Sequence, residues 1–123
     1  GGPAEYSIVL RLPEILLVRS EARARQGLLA AALEDLNAVR HFAGLGDSPA
    51  ATQSEIVEAV LRERRVELFT EFGYRFADLK RTGRLDAVLG AVKPGWDHDD
   101  RMFPLPQQEI LLQPGLLPQN PGY

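Results

Sequence analysis

The chain has 123 residues, of which 45% are hydrophobic and 25% are charged, and its formal net charge is -3. This composition is typical of a small globular protein, and the mild charge gives no indication of a nucleic-acid partner. The absence of cysteine excludes disulfides, thiol catalysis and thiolate metal sites. No stretch of the sequence approaches the roughly 20 apolar residues that a membrane-spanning helix needs.

A helical hairpin over residues 12–41 is the first predicted element. Residues 13–26 favour a helix, and the residues expected on its apolar face are Ile15, Leu16, Ala22 and Gln26. Gly27 is placed to end this helix, and a second helix follows almost at once over residues 28–41. Because the linker is so short, the two helices are expected to fold back on one another.

A long helix over residues 52–72 is predicted next, after a loop at residues 43–51. Thr52 stands three residues before Glu55, which is the spacing of a capping box. Gly73 is expected to end the long helix in the left-handed conformation. Short helices are predicted over residues 74–90, followed by a loop and a proline-rich tail over residues 91–123 that forms a strap or hangs free.

The predicted fold class is therefore all-α, with a tetratricopeptide-like hairpin, a long helix, short helices and an irregular C-terminal strap. The hairpin places small residues at Ser20 and Ala32, which allows two helices to approach closely. We expect a single helical domain over residues 1–123. The opening Gly1-Gly2-Pro3 resembles a cut edge more than a natural start. We therefore expect the chain to be a fragment of a longer protein.

Charged and apolar residues alternate closely through residues 63–83. At least one arginine of this run must lie near the apolar stripe, where it needs carboxylate partners. The run could bind an anionic ligand or form an intramolecular ion-pair network, and its balance of acids and bases favours the network. The predicted members are Arg64, Arg65, Glu67, Glu71, Arg75, Asp78 and Arg81. On this basis, Arg65→Ala or Glu71→Ala is expected to lower stability by a few kcal/mol, on the order of a broken buried pair.

Trp96 is the only tryptophan and the candidate ligand-binding residue. An exposed indole can stack on a sugar ring, with Asp97, Asp99 and Asp100 accepting hydrogen bonds from hydroxyl groups. The alternative is a tryptophan packed onto the helices beside solvated acids. The same acidic cluster lacks the glycine and closing glutamate of a calcium loop, so no metal is expected. No nucleophile, histidine and acid are arranged as in a catalytic triad, so we predict neither catalytic residues nor a cofactor.

Five segments in this order resemble the carboxy-terminal region of the SusD/RagB family. They are RLPEILLVRSEARARQG, ALEDLNAVRHFAGL, ERRVELFTEFGYRFADLKRTGRLD, MFPLPQQEI and QNPGY. The resemblance implies a helical scaffold of an outer-membrane, surface-exposed lipoprotein that binds glycans without enzymatic activity. It also implies a SusC-like TonB-dependent transporter as partner. The hairpin between Arg19 and Arg40 would then face this transporter and take part in docking to it. The lipid-anchor cysteine and most aromatic sugar platforms of the family have no counterpart here, so the oligosaccharide site is expected largely outside this chain.

A tetratricopeptide-like adaptor that binds a protein segment is the alternative function. The hairpin alone is compatible with either function. The segments MFPLPQQEI and QNPGY favour the glycan-uptake hypothesis, because an adaptor has no need of them and the family resemblance explains both.

Overall fold

The structure, a computed structural model, describes residues 9–123, and this part of the chain contains helices and turns but no strand. Its α-helices are α1 (Leu12–Arg25), α2 (Leu29–Phe42), α3 (Gln53–Glu67), α4 (Tyr74–Arg81), α5 (Leu85–Val92) and α6 (Gln107–Leu112). Short 3-10 helices cover His98–Arg101 and Pro114–Leu116. The predicted all-α fold class is confirmed. The predicted cut edge at residues 1–3 lies outside the described residues.

The chain forms two compact units, with the boundary between Arg75 and Phe76. The first unit contains α1, α2 and α3, and the second contains α5, α6 and both 3-10 helices. Helix α4 runs through the boundary. A single domain across residues 1–123 stays a prediction.

The α1–α2 hairpin forms because the sequence supplies a start, a stop and a close contact. Pro13 occupies the first turn of α1, where its missing N–H costs nothing. Gly27 adopts a φ of +80° in the turn, and the amide of Leu28 donates to the carbonyl of Arg23 at 2.9 Å. The hydroxyl of the fully buried Ser20 donates to the carbonyl of Ala32 at 2.7 Å. The predicted approach of the two helices at these small residues is thus observed.

The core of the first unit lies where α1, α2 and α3 meet. Its buried members are Leu17, Ala24, Ala32, Leu36, Val39, Ile56 and Val60. The apolar face expected for α1 was mostly wrong. Ile15, Ala22 and Gln26 are exposed, only Leu16 of the predicted set packs against the core, and Leu17 lies in the core itself. The inward face of α1 also holds Glu14 and Glu21, whose charges break the apolar pattern in the sequence.

Helix α3 begins with the predicted capping box. The Thr52 hydroxyl accepts a hydrogen bond from the Glu55 amide at 3.3 Å, and the Glu55 carboxylate accepts from the Thr52 amide at 2.9 Å. The Ala51 amide donates to the same carboxylate at 3.0 Å. These backbone hydrogen bonds, first among them the one from Thr52, hold the pKa of Glu55 below its ordinary value.

Thr52→Ala is expected to lower the free energy of unfolding by about 1 kcal/mol, because the cap of α3 is lost. Ser54→Ala is a suitable control, since Ser54 is an exposed residue within the first turn of the same helix. Urea denaturation monitored by circular dichroism measures both. Equal stability of Thr52→Ala and Ser54→Ala would show that the cap is not needed.

Helix α3 ends at Glu67, five residues before the predicted end at Phe72. In a continued helix the Glu71 amide would donate to the Glu67 carbonyl; instead it donates to the Leu68 carbonyl at 3.1 Å. The guanidinium of Arg11 donates to the Glu67 carbonyl at 2.9 Å. Thr70 and Phe72 have φ values of 65° and 40°, so the chain leaves the helical conformation before Gly73. The prediction was wrong because the apolar pattern continues through this corner.

Candidate functional site

Trp96 lies in a hydrogen-bonded cluster with Asp86 and His98 in the second unit. The indole Nε1 donates to Oδ1 of Asp86 at 3.0 Å, and Nδ1 of His98 lies 2.7 Å from Oδ2 of the same carboxylate. Trp96 is half-buried, whereas about half of the Asp86 and His98 side chains remains exposed. The cluster therefore holds the indole in one orientation while leaving part of it open to solvent.

Local sequence explains why these three side chains meet. Asp86 lies in the first turn of α5, where a negative charge is favourable. Gly95 adopts a φ of +80° and turns the chain towards Trp96. Asp97 then caps the 3-10 helix that carries His98, accepting from the Asp99 amide at 3.0 Å, while Asp100 accepts from the Asp97 amide at 2.8 Å.

The acidic residue beside the indole is thus Asp86, which the sequence reasoning did not select. Of the predicted hydroxyl acceptors, Asp97 and Asp100 are engaged in capping, and Asp99 packs against the tail. A Cβ added at Gly122 would lie 2.9 Å from the Cβ of Asp99. The signal that could have found Asp86 is its place at the start of a short helix just before the tryptophan loop.

The remaining contacts of Trp96 come from the end of α5 and the loop after it. The Nζ atom of Lys93 lies 5.5 Å from the centroid of the indole ring, within the range of a cation–π interaction. A Cβ built on Gly90 would lie 3.8 Å from Cδ1 of the ring, so the ring edge passes close to the helix backbone. Both contacts reduce the freedom of the indole.

The pKa of Asp86 lies below its ordinary value of 3.8. The hydrogen bond from His98 is the largest cause, and the hydrogen bond from Trp96 is the second largest. A carboxyl group whose pKa is lower in the folded than in the unfolded protein stabilises the fold at pH values above its unfolded pKa. This contribution is lost as the pH falls through the pKa of the folded protein. We therefore expect the Trp96 fluorescence to change with a midpoint below pH 3.8. Asp86→Asn should abolish this transition. A transition with the same midpoint in the variant would assign it to another group.

In the first unit, the charged run of residues 63–71 is joined to Arg11. The Arg11 guanidinium donates to Oε1 of Glu67 at 3.0 Å and to Oε1 and Oε2 of Glu71 at 2.8 and 3.2 Å. These pairs raise the pKa of Arg11, with the hydrogen bond to Glu71 as the largest cause. Sequence reasoning placed both glutamates in an ion-pair network but missed Arg11, because it lies 56 and 60 residues away.

The other predicted members of the network fall in different surroundings. Arg64 is buried, and its guanidinium carbon lies 5.8 Å from the centroid of the Tyr74 ring. Arg65 is exposed, so the buried arginine that the run requires is Arg64.

Arg81 pairs with Asp78 across one turn of α4 at 2.8 Å, and Arg75 is exposed in the first turn of that helix. The pKa of Tyr74 is raised, chiefly by a hydrogen bond with Glu14.

Arg11→Ala is expected to lower the melting temperature, because two carboxylates and a terminal helix carbonyl lose their donor. Arg65→Ala removes an arginine from an exposed position of α3 and should leave the melting temperature nearly unchanged. The exposed position of Arg65 argues against the loss of a few kcal/mol that the sequence leads one to expect for Arg65→Ala. Differential scanning calorimetry of both variants measures the contrast, and a larger loss in Arg65→Ala would contradict it.

The proline-rich tail is attached to residues 103–105 of the second unit. The Gln119 side chain accepts from the Leu105 amide at 2.7 Å and donates to the Leu105 carbonyl at 3.0 Å. Asn120 donates to the Phe103 carbonyl at 2.7 Å. The segments MFPLPQQEI and QNPGY thus meet in space, and the tail forms a strap.

Neither a metal centre nor a membrane span is found in the part of the chain that the structure describes. Across residues 9–123, acidic and histidine side chains do not gather in groups of three or more that could hold a metal ion. None of the helices in this range is long and apolar enough to cross a bilayer.

The SusD family model matches residues 1–123, the whole chain. SusD-like protein P2 of Formosa agariphila is 32% identical to this chain over 130 residues, covering 94% of this chain and 26% of that protein. SusD-like protein P38 of the same organism is also 32% identical, covering 94% of this chain and 24% of that protein. The chain therefore spans about a quarter of the length of these relatives.

Solved structures give the same result. A SusD superfamily protein from Bacteroides vulgatus superposes with a TM-score of 0.81 at 28% identity, over 93% of this chain and 27% of that one. A SusD-like protein from Bacteroides fragilis gives 0.75 at 28% identity, over 94% and 26%. The resemblance inferred from five sequence segments is confirmed, and the chain belongs to the SusD family.

Proposed function

We propose that this chain is part of a non-enzymatic glycan-binding component for nutrient uptake at the bacterial outer membrane. The observation that carries the proposal is the SusD family match over residues 1–123. The Trp96 cluster supports it, because an indole of fixed orientation beside an accessible carboxylate offers both a stacking surface and a hydrogen-bond acceptor for sugar hydroxyls.

We propose that Trp96 stacks on a sugar ring and that Asp86 accepts a hydroxyl hydrogen bond beside it. Asp86 keeps about half of its side chain exposed while it binds Trp96 and His98, so lone pairs remain for a ligand. A fixed indole loses little conformational freedom on binding, which favours affinity. The remainder of the oligosaccharide site is expected in parts of the family that this chain does not span.

The partner in this proposal is a SusC-like TonB-dependent transporter, and the protein is a surface-exposed lipoprotein of the outer membrane. We place docking on the α1–α2 hairpin between Arg19 and Arg40. The side chain of Arg19 is about half exposed while it pairs with Asp35, so the hairpin presents an ordered charged surface. Co-isolation of the transporter with the tagged protein from detergent-solubilised outer membranes tests this partnership, and repeated recovery without any transporter would contradict it.

Isothermal titration calorimetry with a panel of oligosaccharides tests the glycan-binding function. We expect at least one neutral or acidic oligosaccharide to bind, and Trp96→Ala to weaken that binding by about tenfold or more, since aromatic stacking is lost. Phe42→Ala is a matched control, because Phe42 is an exposed aromatic residue at the end of α2 in the other unit. The absence of heat for every oligosaccharide would contradict the function.

A protein-binding adaptor is the second candidate, favoured by the tetratricopeptide-like hairpin with its close contact between Ser20 and Ala32. Only one such hairpin lies within residues 9–123, whereas stable repeat arrays need about three. Binding of extended peptides without any oligosaccharide binding would favour the adaptor.

A further inference from the structure

A cleft of about 370 Å³ lies directly beside the Trp96 cluster within the second unit. It is lined by Lys80, Gly83, Leu85, Asp86, Arg101 and Met102. These residues come from the end of α4, the start of α5 and the end of the 3-10 helix at residues 98–101. The volume falls in the lower part of the range for small-ligand sites, about 300–1,000 Å³. Asp86 belongs both to this cleft and to the Trp96 cluster.

The polar groups that remain available in this cleft are mostly hydrogen-bond donors. The Arg101 guanidinium makes no hydrogen bond or close ion pair with any residue from 9 to 123, and its positive charge contributes to the lowered pKa of Asp86. Its N–H donors are therefore open to a ligand. The Lys80 ammonium donates to the Arg101 carbonyl at 2.8 Å, which fixes its position and leaves two N–H groups. Each oxygen of Asp86 already accepts one hydrogen bond, from Trp96 or His98, and keeps one further acceptor position for a sugar hydroxyl.

The charged side chains of the lining sum to one positive charge, which suits a ligand group that carries one negative charge. Lys80 and Arg101 supply two positive charges, and Asp86 supplies one negative charge. The planar fork of an arginine matches a carboxylate, which it can bind through two parallel hydrogen bonds. The partly exposed Met102 adds an apolar surface against which the C–H face of a sugar ring can pack, with the buried Leu85 behind it.

We propose that this cleft binds the carboxylate of an acidic sugar residue, a uronic acid, through Arg101 and Lys80. The inference rests on the proposed glycan-binding function and assigns it a ligand class. In this arrangement the neighbouring sugar ring of the oligosaccharide stacks on Trp96, while the uronate enters the cleft on the other side of Asp86. The site therefore distinguishes acidic from neutral oligosaccharides.

A matched pair of ligands tests the proposal, namely a uronate trisaccharide and its fully methyl-esterified form, which keeps the rings but loses the charges. Calorimetry of the full chain should give about tenfold tighter binding of the uronate than of the ester. Arg101→Gln should remove this preference. Arg65→Gln is the matched control, because it removes one exposed arginine from α3 in the other unit and should leave the preference intact.

Lys80→Gln provides a second variant, in which the preference should fall without being lost. Circular dichroism confirms that each variant is folded. Added salt should weaken uronate binding and leave ester binding unchanged, because only the former depends on charge.

The outcomes separate this inference from the proposed function. Equal binding of uronate and ester, or a preference that survives Arg101→Gln, would overturn the carboxylate site while glycan binding stands. A preference for a sulfated trisaccharide over the uronate would also overturn it. Failure of every acidic and neutral oligosaccharide to bind would overturn the inference and the function together.

Discussion

Leu36→Ala is expected to lower the free energy of unfolding by about 3 kcal/mol, one of the two largest effects that the structure predicts. Leu36 is completely buried on α2, in the core shared by α1, α2 and α3. Removing its side chain takes away buried apolar contacts and leaves a cavity that the three helices cannot fully close. Urea denaturation measured by circular dichroism gives the value.

Leu12→Ala is the control for this prediction. Leu12 is the first residue of α1 in the same unit and is 61% exposed, so its replacement removes the same atoms from the surface. A change within about 0.5 kcal/mol is expected for it. If the two variants lost the same stability, Leu36 would not lie in the core and the arrangement of the hairpin on α3 would be wrong.

Asp35→Ala is expected to lower the free energy of unfolding by about 2 kcal/mol, less than for a fully buried pair because the arginine partners are partly exposed. Asp35 is only 4% exposed and joins α2 to α1. Its carboxylate accepts two hydrogen bonds from Arg19, at 2.9 and 2.6 Å, and one from Arg23 at 2.8 Å. The hydrogen bond to Asp35 is the largest cause of the raised pKa of Arg19.

Glu34→Ala is the control, because Glu34 precedes Asp35 on α2 but is exposed. It should change stability by less than about 0.5 kcal/mol. A double-mutant cycle with Arg23→Ala then isolates the interaction, and the two single losses should not add. Simple additivity would show that the ion pair between Asp35 and Arg23 does not contribute, while the pair with Arg19 stands.

Local signals in the sequence predicted the start and end of several elements correctly. The capping box at Thr52 and Glu55 and the turn at Gly27 depend on residues within a few positions of each other, so their chemistry can be read from the chain. The order of five segments likewise identified the family. The tetratricopeptide-like approach of Ser20 to Ala32 followed from the small size of both residues.

The errors arose where distant residues decide the outcome. Helix α3 ends at Glu67, whose carbonyl accepts a hydrogen bond from Arg11, 56 residues away. No pattern within residues 63–83 contains that contact. The inner face of α1 was misjudged at Ile15 for a related reason, since α2 and α3 together bury charged positions such as Glu21 that an apolar pattern assigns to solvent.

The candidate site could be predicted only in part. Trp96 was selected because it is the only tryptophan, but its partner Asp86 lies ten residues earlier on another element. Arg101 was not selected from the sequence, whereas in the structure it lines the cleft next to Asp86. The cleft depends on how α4, α5 and the following loop fold together, which the sequence does not specify residue by residue.

The strap at the C-terminus connects the family signature to this site. Gln119 and Asn120 bind residues 103–105, directly after the 3-10 helix that carries His98 and Arg101. Gly122 comes close to Asp99 in that helix. The tail therefore helps to hold the loop that presents the proposed sugar contacts, which gives QNPGY a structural role.

The indole N–H resonance of Trp96 in a nuclear magnetic resonance titration tests the central claim most directly, because the chain has one tryptophan and therefore one such signal. Titration with the oligosaccharide that binds in calorimetry is predicted to shift this signal together with the amides of residues 80–102, while the amides of the α1–α2 hairpin stay in place. Shifts confined to the hairpin, with the Trp96 signal unchanged at saturation, would contradict glycan recognition at this site.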